Sequence, residues 1–303
     1  MLKNMKSLVT ETSNKLSLHI DEEDTKGILN IINIEDKKVP VAVTEVIDDI
    51  AKAVDGIVNV FNNGGRLIYI GAGTSGRLGI LDASECTPTY GVDSNMVQGL
   101  IAGGKEAVFS AKEGAEDSEE LAFHDLMKIN LSSNDIVCGL AASGRTPYAI
   151  GGLKYAKQIG AKTISICCTN NGMISDFADY PIEVIVGPEV VTGSTRMKSG
   201  TAQKLVLNML STASMIKIGK VYGNLMVDVQ LTNEKLRNRA VNIVMECGNV
   251  DEIKACELLD ECNGEVKIAI LKCLTNYSVE QCILLLKDND NNISKSIKGI
   301  VGD

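Results

Sequence analysis

The chain has 303 residues, which is enough for one large domain and a smaller second one. Its formal net charge of −9 argues against general nucleic-acid binding, which depends on a basic surface. The sequence has no apolar run of about 18 residues, and its N-terminal segment MLKNMKSLVTETSNK has no apolar stretch. We therefore expect neither a membrane span nor a signal peptide.

The composition also indicates the kind of core. Aromatic residues make up 4% of the chain and Trp is absent, so the core must be aliphatic, as is typical of a parallel sheet covered by helices. The nine cysteines form no CxxC pair, and an odd number fits a complete disulfide framework poorly. We expect ordinary core thiols in a reducing cytoplasm.

Residues 1–65 have the pattern of helices. A short amphipathic segment covers Thr25–Ile34, and Pro40 is expected to open a longer helix that is apolar at spacings of three and four through Phe61. The run Asn62-Asn63-Gly64-Gly65 is a typical helix end.

From Arg66 to about Gly187 short apolar runs alternate with helical segments such as Ala149–Ile159. Continuous apolar runs are typical of strands that are buried on both faces. This order predicts a doubly wound parallel α/β sheet, whose ligands bind at the carboxyl ends of the strands. The predicted strands are Leu67–Ile70, Met96–Ile101, Asp135–Leu140, Thr163–Cys168 and Ile182–Val186.

The first strand runs into a loop, Gly71–Gly76, and then into a helical segment, Arg77–Ala83. Free N–H groups at a helix start, together with the hydroxyls of Thr74 and Ser75, can close on an anion, and Gly73 lets the backbone approach it. The GxGxxG spacing also fits a dinucleotide site. Two hydroxyls and Arg77 favour a compact phosphate, and no acidic residue follows at the distance that a ribose site needs. A dinucleotide site and a plain turn stay open for this loop alone.

Two later loops share the same residue types. One contains Ser143, Gly144, Arg145 and Thr146, and the other contains Ser194-Thr195-Arg196. Both are expected at the same edge of the sheet as the first loop. Three such loops favour a small phosphorylated ligand, because a dinucleotide site needs only one of them.

The remaining chain is predicted to be helical. A long helix is expected over Lys198–Ile218, and three short amphipathic helices follow residue 236. We therefore expect an α/β domain over residues 1–235 and a small helical domain over 236–303. The stretch 251–303 has six Lys, no Arg and ten Asp plus Glu, which argues against a DNA-reading module and favours a structural or dimer-contact role. The three helices are Glu252–Cys262, Glu265–Thr275 and Val279–Lys287.

Two glutamates have neighbours that fit acid–base chemistry. Glu85 lies in a largely uncharged stretch just past the predicted helix, and Glu116 follows the second strand. A carboxylate in a partly apolar pocket can act as a general acid or base. The chain has 39 acidic residues, most of which must be solvated, so the residue pattern alone cannot select these two. Lys235 is by default a surface charge, and the two histidines show no metal-ligand spacing, so we expect no metal and no other cofactor.

Longer strings resemble one family. The loops GAGTSGR at 71–77 and ASGRT at 142–146 are similar to those of the sugar isomerase (SIS) fold, whose Ser/Thr-rich loops hold sugar phosphates. The strings LGILDASECTPTYG, EGAED, GPEVVTGSTRMKSGTAQKLVLNMLST and GNLMVDVQLTNEKL resemble the N-acetylmuramic acid 6-phosphate etherases. The similarity extends from about Thr10 to the C-terminal helices. The glucokinase regulatory protein shares the third string, but it is a much longer chain.

The resemblance implies a reaction and a set of residues. It implies removal of D-lactate from the 3-ether of N-acetylmuramate 6-phosphate, with Glu85 and Glu116 as the acid–base pair and Lys235 as an aid to ring opening. It also implies that the loops, including Gly73 and Arg77, hold the sugar phosphate, and that the protein is a homodimer. Two alternatives on the same fold are a sugar-phosphate isomerase and a sugar-phosphate-sensing regulator, although no basic DNA-binding segment is visible. The residues expected on phosphate or sugar hydroxyls are Ser75, Ser143, Thr146, Ser194 and Thr195.

Overall fold

The computed structural model describes residues 9–110, 112–229, 231 and 233–301. Contacts divide the chain into two compact units. The first runs to Ser84 and resumes over Ser94–Ser211, and the second comprises Glu85–Asp93 and the chain from Thr212 onward. The division therefore falls inside two long helices, α4 (Gly73–Tyr90) and α7 (Lys198–Lys217). The domain boundary expected at residue 235 stays a prediction.

The first unit is built on a five-stranded sheet in which every pairing is parallel. The strand order is β2-β1-β3-β4-β5, and helices flank the sheet, so the predicted doubly wound α/β fold is confirmed. Every residue of β1 and β3 is buried, which explains their uninterrupted apolar runs. The strands are β1 (Leu67–Gly71), β2 (Val97–Ile101), β3 (Ile136–Leu140), β4 (Lys162–Cys167) and β5 (Tyr180–Glu183).

Helices and short turns surround this sheet. Helix α6 (Pro147–Ile159) contacts β1, β3 and β4, and a Cβ on Gly152 would lie 2.5 Å from the end of the Ile70 side chain, which would have to shift. The other α-helices of the first unit are α1 (Thr25–Asp36), α2 (Lys38–Thr44), α3 (Ile47–Asn62), α5 (Glu119–Lys128) and α6 (Pro147–Ile159). The 3₁₀ helices are Val9–Glu11, Lys15–Ser17, Ile20–Glu22, Lys105–Val108, Ala115–Asp117 and Met173–Phe177.

A bidentate ion pair fastens the amino ends of β1 and β3. Arg66 donates from Nε and Nη2 to the two carboxylate oxygens of Asp135, at 3.0 and 2.7 Å. The backbone N–H groups of Arg66 and Ser132 also donate to this carboxylate. Burial raises the pKa of Asp135, but the bonds from Arg66 and Ser132 outweigh it and leave the pKa below its ordinary value.

Two predictions in this unit are wrong in detail. The helix expected to open at Pro40 is two helices, with Pro40 in the first turn of α2, where the missing N–H costs nothing, and a break before Ile47. The last strand ends at Glu183, earlier than the predicted Val186, because the paired strand β4 ends at Cys167 and Cys167 faces Glu183. Val184 and Val186 are buried without being part of the strand, so their apolar run was misleading.

Helix α4 also differs from the prediction. It starts at Gly73 and extends to Tyr90, whereas the sequence predicted Arg77–Ala83. Thr74 and Ser75 therefore lie in its first turn and not in a preceding loop. Glu85 lies within the helix and not beyond it.

The second unit is a helical bundle with a short antiparallel ribbon, β6 (Val221–Tyr222) and β7 (Leu225–Met226). The three predicted helices are confirmed to within one residue at each end. Among the described residues no single helix is long and apolar enough to cross a membrane. Only the pair α10 (Val266–Thr275) and α11 (Val279–Asp288), bent by 106°, reaches that length and composition when taken together. The helices are α8 (Glu234–Gly248), α9 (Glu252–Glu261), α10 (Val266–Thr275), α11 (Val279–Asp288) and α12 (Ile293–Val301).

Candidate functional site

The structure brings the three predicted loops together at the carboxyl edge of the sheet. The backbone N–H of Cys168, just after β4, donates to the carbonyl of Ala142 at 2.9 Å, and the Cys168 thiol lies 3.7 Å from the carbonyl of Ser199. A Cβ on Gly200 would lie 3.5 Å from the Thr74 methyl group. The ends of β1, β3 and β4 and the start of α7 therefore converge in the first unit.

The start of α4 is closely packed against the sheet. A Cβ on Gly76 would lie 2.6 Å from Ile101 and 2.7 Å from the carbonyl of Gly71, so glycine is required there. Ser75 is buried, and its hydroxyl donates to Oε1 of Gln203 at 2.8 Å. The Thr74 hydroxyl has no partner among the described residues. Thr74 is thus more available to a ligand than Ser75, whose contribution is reduced to its backbone N–H.

Arg77 holds a neighbouring turn. Its Nε and Nη2 donate to the carbonyls of Val108 and Ala107, both at 2.8 Å. These bonds fasten the 3₁₀ helix Lys105–Val108 to α4. The side chain was expected to bind phosphate, but two of its donors are already used in positioning this turn.

The second loop leads into α6. Gly144 has a φ of +69°, and a Cβ there would lie 2.7 Å from Cα of Gly172, so the tight turn requires glycine. Thr146 is the N-cap of α6, yet its side chain makes no capping bond. The N–H groups at the start of α6 and the Thr146 hydroxyl are therefore open to an anion. Ser143 and Arg145 are half-buried on the same turn, and Ser143 accepts a long bond of 3.4 Å from the Arg145 N–H.

The third loop is tightly fastened to the rest of the first unit. The buried carboxylate of Glu189 accepts bonds from the N–H groups of Lys198 and Ser199, at 3.0 and 2.9 Å, at the start of α7. Asn14 and Ser17 donate to backbone carbonyls of the same loop, at 3.0 and 2.8 Å. Ser194 and Thr195, which lie on this loop, are half-buried, and their hydroxyls have no partner among the described residues.

A buried ion pair ties the same helix start to α1. Nζ of Lys198 lies 2.5 Å from Oε2 of Glu35, and both side chains are 2% exposed. Burial raises the pKa of Glu35, but the bonds from Lys198 and Lys38 outweigh it and leave the pKa below its ordinary value. The pair keeps α7 at a fixed position relative to α1.

Glu116 lies beside the start of α4. It is exposed on the 3₁₀ helix Ala115–Asp117 and lines a cleft of about 170 Å³ that also contains Gly73, Arg77 and Lys112. The structure therefore brings together three predicted site residues, Glu116, Gly73 and Arg77. The carboxylate of Glu116 has no hydrogen-bond partner among the described residues, so it is open to a ligand in this cleft.

Glu85 and Lys235 belong to the second unit. Glu85 is exposed on α4, and Lys235 is exposed in the first turn of α8. Lys235 lines a cleft of about 490 Å³, and Arg239 lines it as well. Arg239 was not among the predicted site residues, although its position four residues after Lys235 places both on one helix face. The other lining residues are Thr87, Pro88, Thr89, Met226, Asn233 and Leu236.

Asp82 is a buried acid that was not predicted from the sequence either. It accepts bonds from the Tyr69 hydroxyl at 2.8 Å, the Asn208 amide at 2.8 Å and the Ser211 hydroxyl at 3.1 Å. Burial raises its pKa, and these three bonds only partly offset the effect. The residue ties α4 to β1 and α7 within the first unit. Its partners lie as many as 129 positions away in the sequence, so no local signal could have identified it.

Family models match two parts of the chain. A model of the glucokinase regulatory protein N-terminal SIS domain matches residues 49–157, and a model of the SIS domain matches residues 114–213. Two solved structures with a similar fold are phosphoheptose isomerases. The one from Francisella tularensis is 16% identical, with a TM-score of 0.48 over 64% of this chain and 100% of that chain. The one from Neisseria gonorrhoeae is 13% identical, with a TM-score of 0.45 over 62% of this chain and 97% of that chain.

Curated relatives with the name N-acetylmuramic acid 6-phosphate etherase match nearly the whole chain. The protein of Clostridium beijerinckii is 56% identical over 297 residues, which cover 98% of each chain. The protein of Clostridium botulinum strain Eklund 17B is 58% identical over 97% of this chain and 98% of the relative. The protein of Clostridioides difficile is 53% identical over 99% of each chain.

Proposed function

The chain belongs to the N-acetylmuramic acid 6-phosphate etherase family, and on that premise we propose that it cleaves the D-lactyl ether of N-acetylmuramate 6-phosphate. The products are N-acetylglucosamine 6-phosphate and D-lactate, and the enzyme is a carbon–oxygen lyase. The observation that carries the proposal is identity of 53–58% with relatives of that name over nearly the full chain. This identity favours the etherase over the isomerase and the regulator expected as alternatives.

The chemistry is an elimination followed by an addition. Once the sugar ring opens, C1 is an aldehyde and the proton on C2 becomes acidic. A base removes that proton, the C3–O bond breaks, and an acid protonates the departing oxygen so that lactate leaves. Water then adds at C3 of the unsaturated aldehyde, and the proton returns to C2. Proton transfer by a positioned side chain contributes typically 10²–10⁴-fold, and positioning and electrostatics must supply the rest.

Glu85 and Glu116 are the proposed acid–base residues. Both are exposed and without partners among the described residues, and both lie in strings that resemble the family. Solvent-accessible carboxylates can exchange protons with water between turnovers. Lys235, exposed on α8, is proposed to assist ring opening.

The phosphate is proposed to bind at the carboxyl edge of the sheet. The support is the convergence there of the starts of α4 and α6 with hydroxyls of Thr74, Thr146 and Thr195 that make no bond among the described residues. Backbone N–H groups at helix starts favour anions because of both their hydrogen bonds and the helix dipole. Ser143, Arg145 and Ser194 complete the proposed set, with Ser75 acting through its backbone.

The direct test is release of D-lactate from N-acetylmuramate 6-phosphate by the purified protein. The matched control is N-acetylmuramate without the phosphate, for which we expect a much lower kcat/KM. Similar values for the two sugars would contradict the phosphate assignment, and no lactate from either would contradict the function. We expect activity to survive EDTA, and loss that a divalent ion restores would contradict that expectation.

We also propose that the protein is a homodimer, as the family resemblance implies, and that it lies in the cytoplasm, as its nine unpaired cysteines indicate. The apolar face of α7 gives limited support, because Leu207, Leu210 and Met215 are buried within one chain while Met209 is 36% exposed. Leu81 on α4 is 53% exposed. Light scattering at working concentration tests the proposal, and a monomer mass would contradict it.

A further inference from the structure

Glu11 is an acid beside the third loop that the proposed mechanism does not use. It is half-buried at the end of the 3₁₀ helix Val9–Glu11, within the first unit. A Cβ on Gly193 would lie 3.4 Å from Oε2 of Glu11, so the carboxylate lies beside the backbone of the third loop. Ser194 and Thr195, whose hydroxyls have no partner among the described residues, follow directly in the chain. A carboxylate and two hydroxyls therefore belong to one part of the sheet edge.

The residues around Glu11 hold it at this position. Its neighbour Thr10 is buried, and so are Asn14 and Ser17. Asn14 and Ser17 donate to backbone carbonyls of the third loop, at 3.0 and 2.8 Å. The segment that carries Glu11 is therefore joined to the third loop by direct hydrogen bonds within the first unit, and the carboxylate has a defined position beside that loop.

The Glu11 carboxylate has no hydrogen-bond or ion-pair partner among the described residues. The buried acids Glu35, Asp135 and Glu189, in contrast, each accept hydrogen bonds from donors of the protein. Taking a charge partly out of water without a partner costs free energy. A donor that a ligand supplies offsets this cost, so a half-buried carboxylate without a partner at a ligand site indicates a role in binding.

The third loop and the start of α4 are neighbours in the first unit. A Cβ on Gly200 would lie 3.5 Å from the methyl group of Thr74 and 3.7 Å from the carbonyl oxygen of Thr195. The backbone N–H of Thr195 donates in turn to the carbonyl of Gly193, at 3.0 Å. A ligand with its phosphate at the start of α4 therefore has its other end close to the third loop.

The charge of Glu11 determines which part of a ligand suits it. A carboxylate only accepts hydrogen bonds, and it repels a phosphate. The N–H groups at the starts of α4 and α6 have the opposite preference, because they donate hydrogen bonds and favour anions. The donors of a sugar phosphate are the hydroxyl groups of its sugar, so the sugar and not the phosphate fits the position beside Glu11.

We propose that Glu11 is a specificity-determining residue that accepts a hydrogen bond from a hydroxyl group of the sugar. This inference rests on the proposed function and deepens it. The helix starts hold the phosphate, while Glu11 attracts the sugar and disfavours the phosphate beside the third loop. The substrate is thereby bound in one orientation, because the reversed orientation would place two anions together.

The test compares two ligands that share the phosphate and differ in the sugar, N-acetylglucosamine 6-phosphate and inorganic phosphate. Glu11→Ala is expected to raise Kd for the sugar phosphate by about tenfold or more, because a hydrogen bond to a charged group is lost. Kd for inorganic phosphate should stay unchanged or fall, because a negative charge near its site is removed. Calorimetry measures the first constant, and competition by inorganic phosphate in the same titration measures the second.

Two further variants separate this role from a change in net charge. Glu11→Gln keeps the shape of the side chain and a neutral acceptor, so it should weaken binding of the sugar phosphate less than Glu11→Ala does. Asp21→Asn removes one negative charge from an exposed position of the 3₁₀ helix Ile20–Glu22. It is the control and should leave both constants unchanged.

Equal weakening of both ligands by Glu11→Ala would assign the residue to holding the loop and would overturn the inference. Unchanged binding of N-acetylglucosamine 6-phosphate by that variant, or no binding of this ligand by wild type, would overturn it as well. A wild-type protein that releases no lactate from N-acetylmuramate 6-phosphate contradicts the proposed function instead. The calorimetric comparison needs no turnover, so it then still decides whether Glu11 binds the sugar.

Discussion

The carboxyl edge of the sheet and the cleft on α8 are both suited to anions, but by different means. At the sheet edge the groups open to a ligand are backbone N–H groups at helix starts, hydroxyls and the Arg145 guanidinium, while the charged side chains of Arg77, Glu189 and Lys198 are bonded to the protein itself. The cleft on α8 is lined by the exposed cations Lys235 and Arg239, which have no partners among the described residues. The sheet edge presents mainly dipoles at helix starts, and the cleft presents full charges on exposed side chains.

The largest expected effect tests whether Glu85 of the second unit transfers a proton in the reaction. Glu85→Gln keeps the shape of the side chain and removes the titratable group, so kcat for lactate release should fall by at least about 100-fold. Substrate affinity by calorimetry should change little, because the anion sites are intact. Glu252→Gln, an exposed glutamate of α9, is the matched control and should behave as wild type. A Glu85→Gln enzyme with more than about a tenth of wild-type kcat would exclude an essential proton transfer.

The next effect compares the Arg66–Asp135 ion pair of the first unit, in which the carboxylate is buried, with the exposed Arg237–Asp260 pair of the second. Asp135→Asn should lower the free energy of unfolding by about 2 kcal/mol, because Arg66 and several N–H groups lose a charged acceptor in a site where Asp135 is 2% exposed. Asp260→Asn removes the exposed partner of Arg237 and should leave stability unchanged within error. Denaturant titration measures both. Equal losses of unfolding free energy in the two variants would show that burial does not determine how much an ion pair contributes to stability.

The same pair sets a pH dependence. The folded-state pKa of Asp135 is below its ordinary value of 3.8, so its contribution to stability is fully present above that value and is lost as pH falls through the lowered pKa. Glu35 behaves in the same sense from its ordinary value of 4.5. Wild type should therefore lose stability below about pH 4, and Asp135→Asn should lose less over the same interval. Parallel curves for the two proteins would contradict the linkage.

The smallest effect isolates one hydroxyl of the sheet edge. Thr146→Ala should raise KM for the phosphorylated substrate by about tenfold, the value of one hydrogen bond to a charged group. Thr146→Ser keeps the hydroxyl and should stay close to wild type. The alanine variant should show no added defect on N-acetylmuramate, which has no phosphate to lose. The same tenfold loss on that sugar would place Thr146 on another part of the ligand.

Local sequence patterns predicted the sheet well, because a strand buried on both faces appears in the sequence as a run of consecutive apolar residues. The runs at β1 and β3 were located to within one residue, and the glycine-rich turn before α4 marked the carboxyl edge. Its exact form could not be predicted, since Gly73 has a φ of +53° and allows the helix to start early. The pairing of Ser75 with Gln203 joins positions 128 apart, and only tertiary contact reveals that this hydroxyl is engaged. Glu85 and Glu116 were selected by resemblance alone, because exposed carboxylates carry no distinctive local pattern.

Glu189 has a consequence for how the third loop meets a ligand. Its carboxylate occupies the position at the start of α7 that an external anion would take, and it satisfies the N–H groups of Lys198 and Ser199 permanently. These two N–H groups of α7 are therefore already bonded, whereas the Thr146 side chain at the start of α6 makes no capping bond. The backbone of this loop also becomes ordered when the protein folds, so its ordering does not reduce the free energy of ligand binding. Ser194 and Thr195 are consequently held in place before a ligand arrives, so a tight inhibitor needs no group that reorganises this part of the edge.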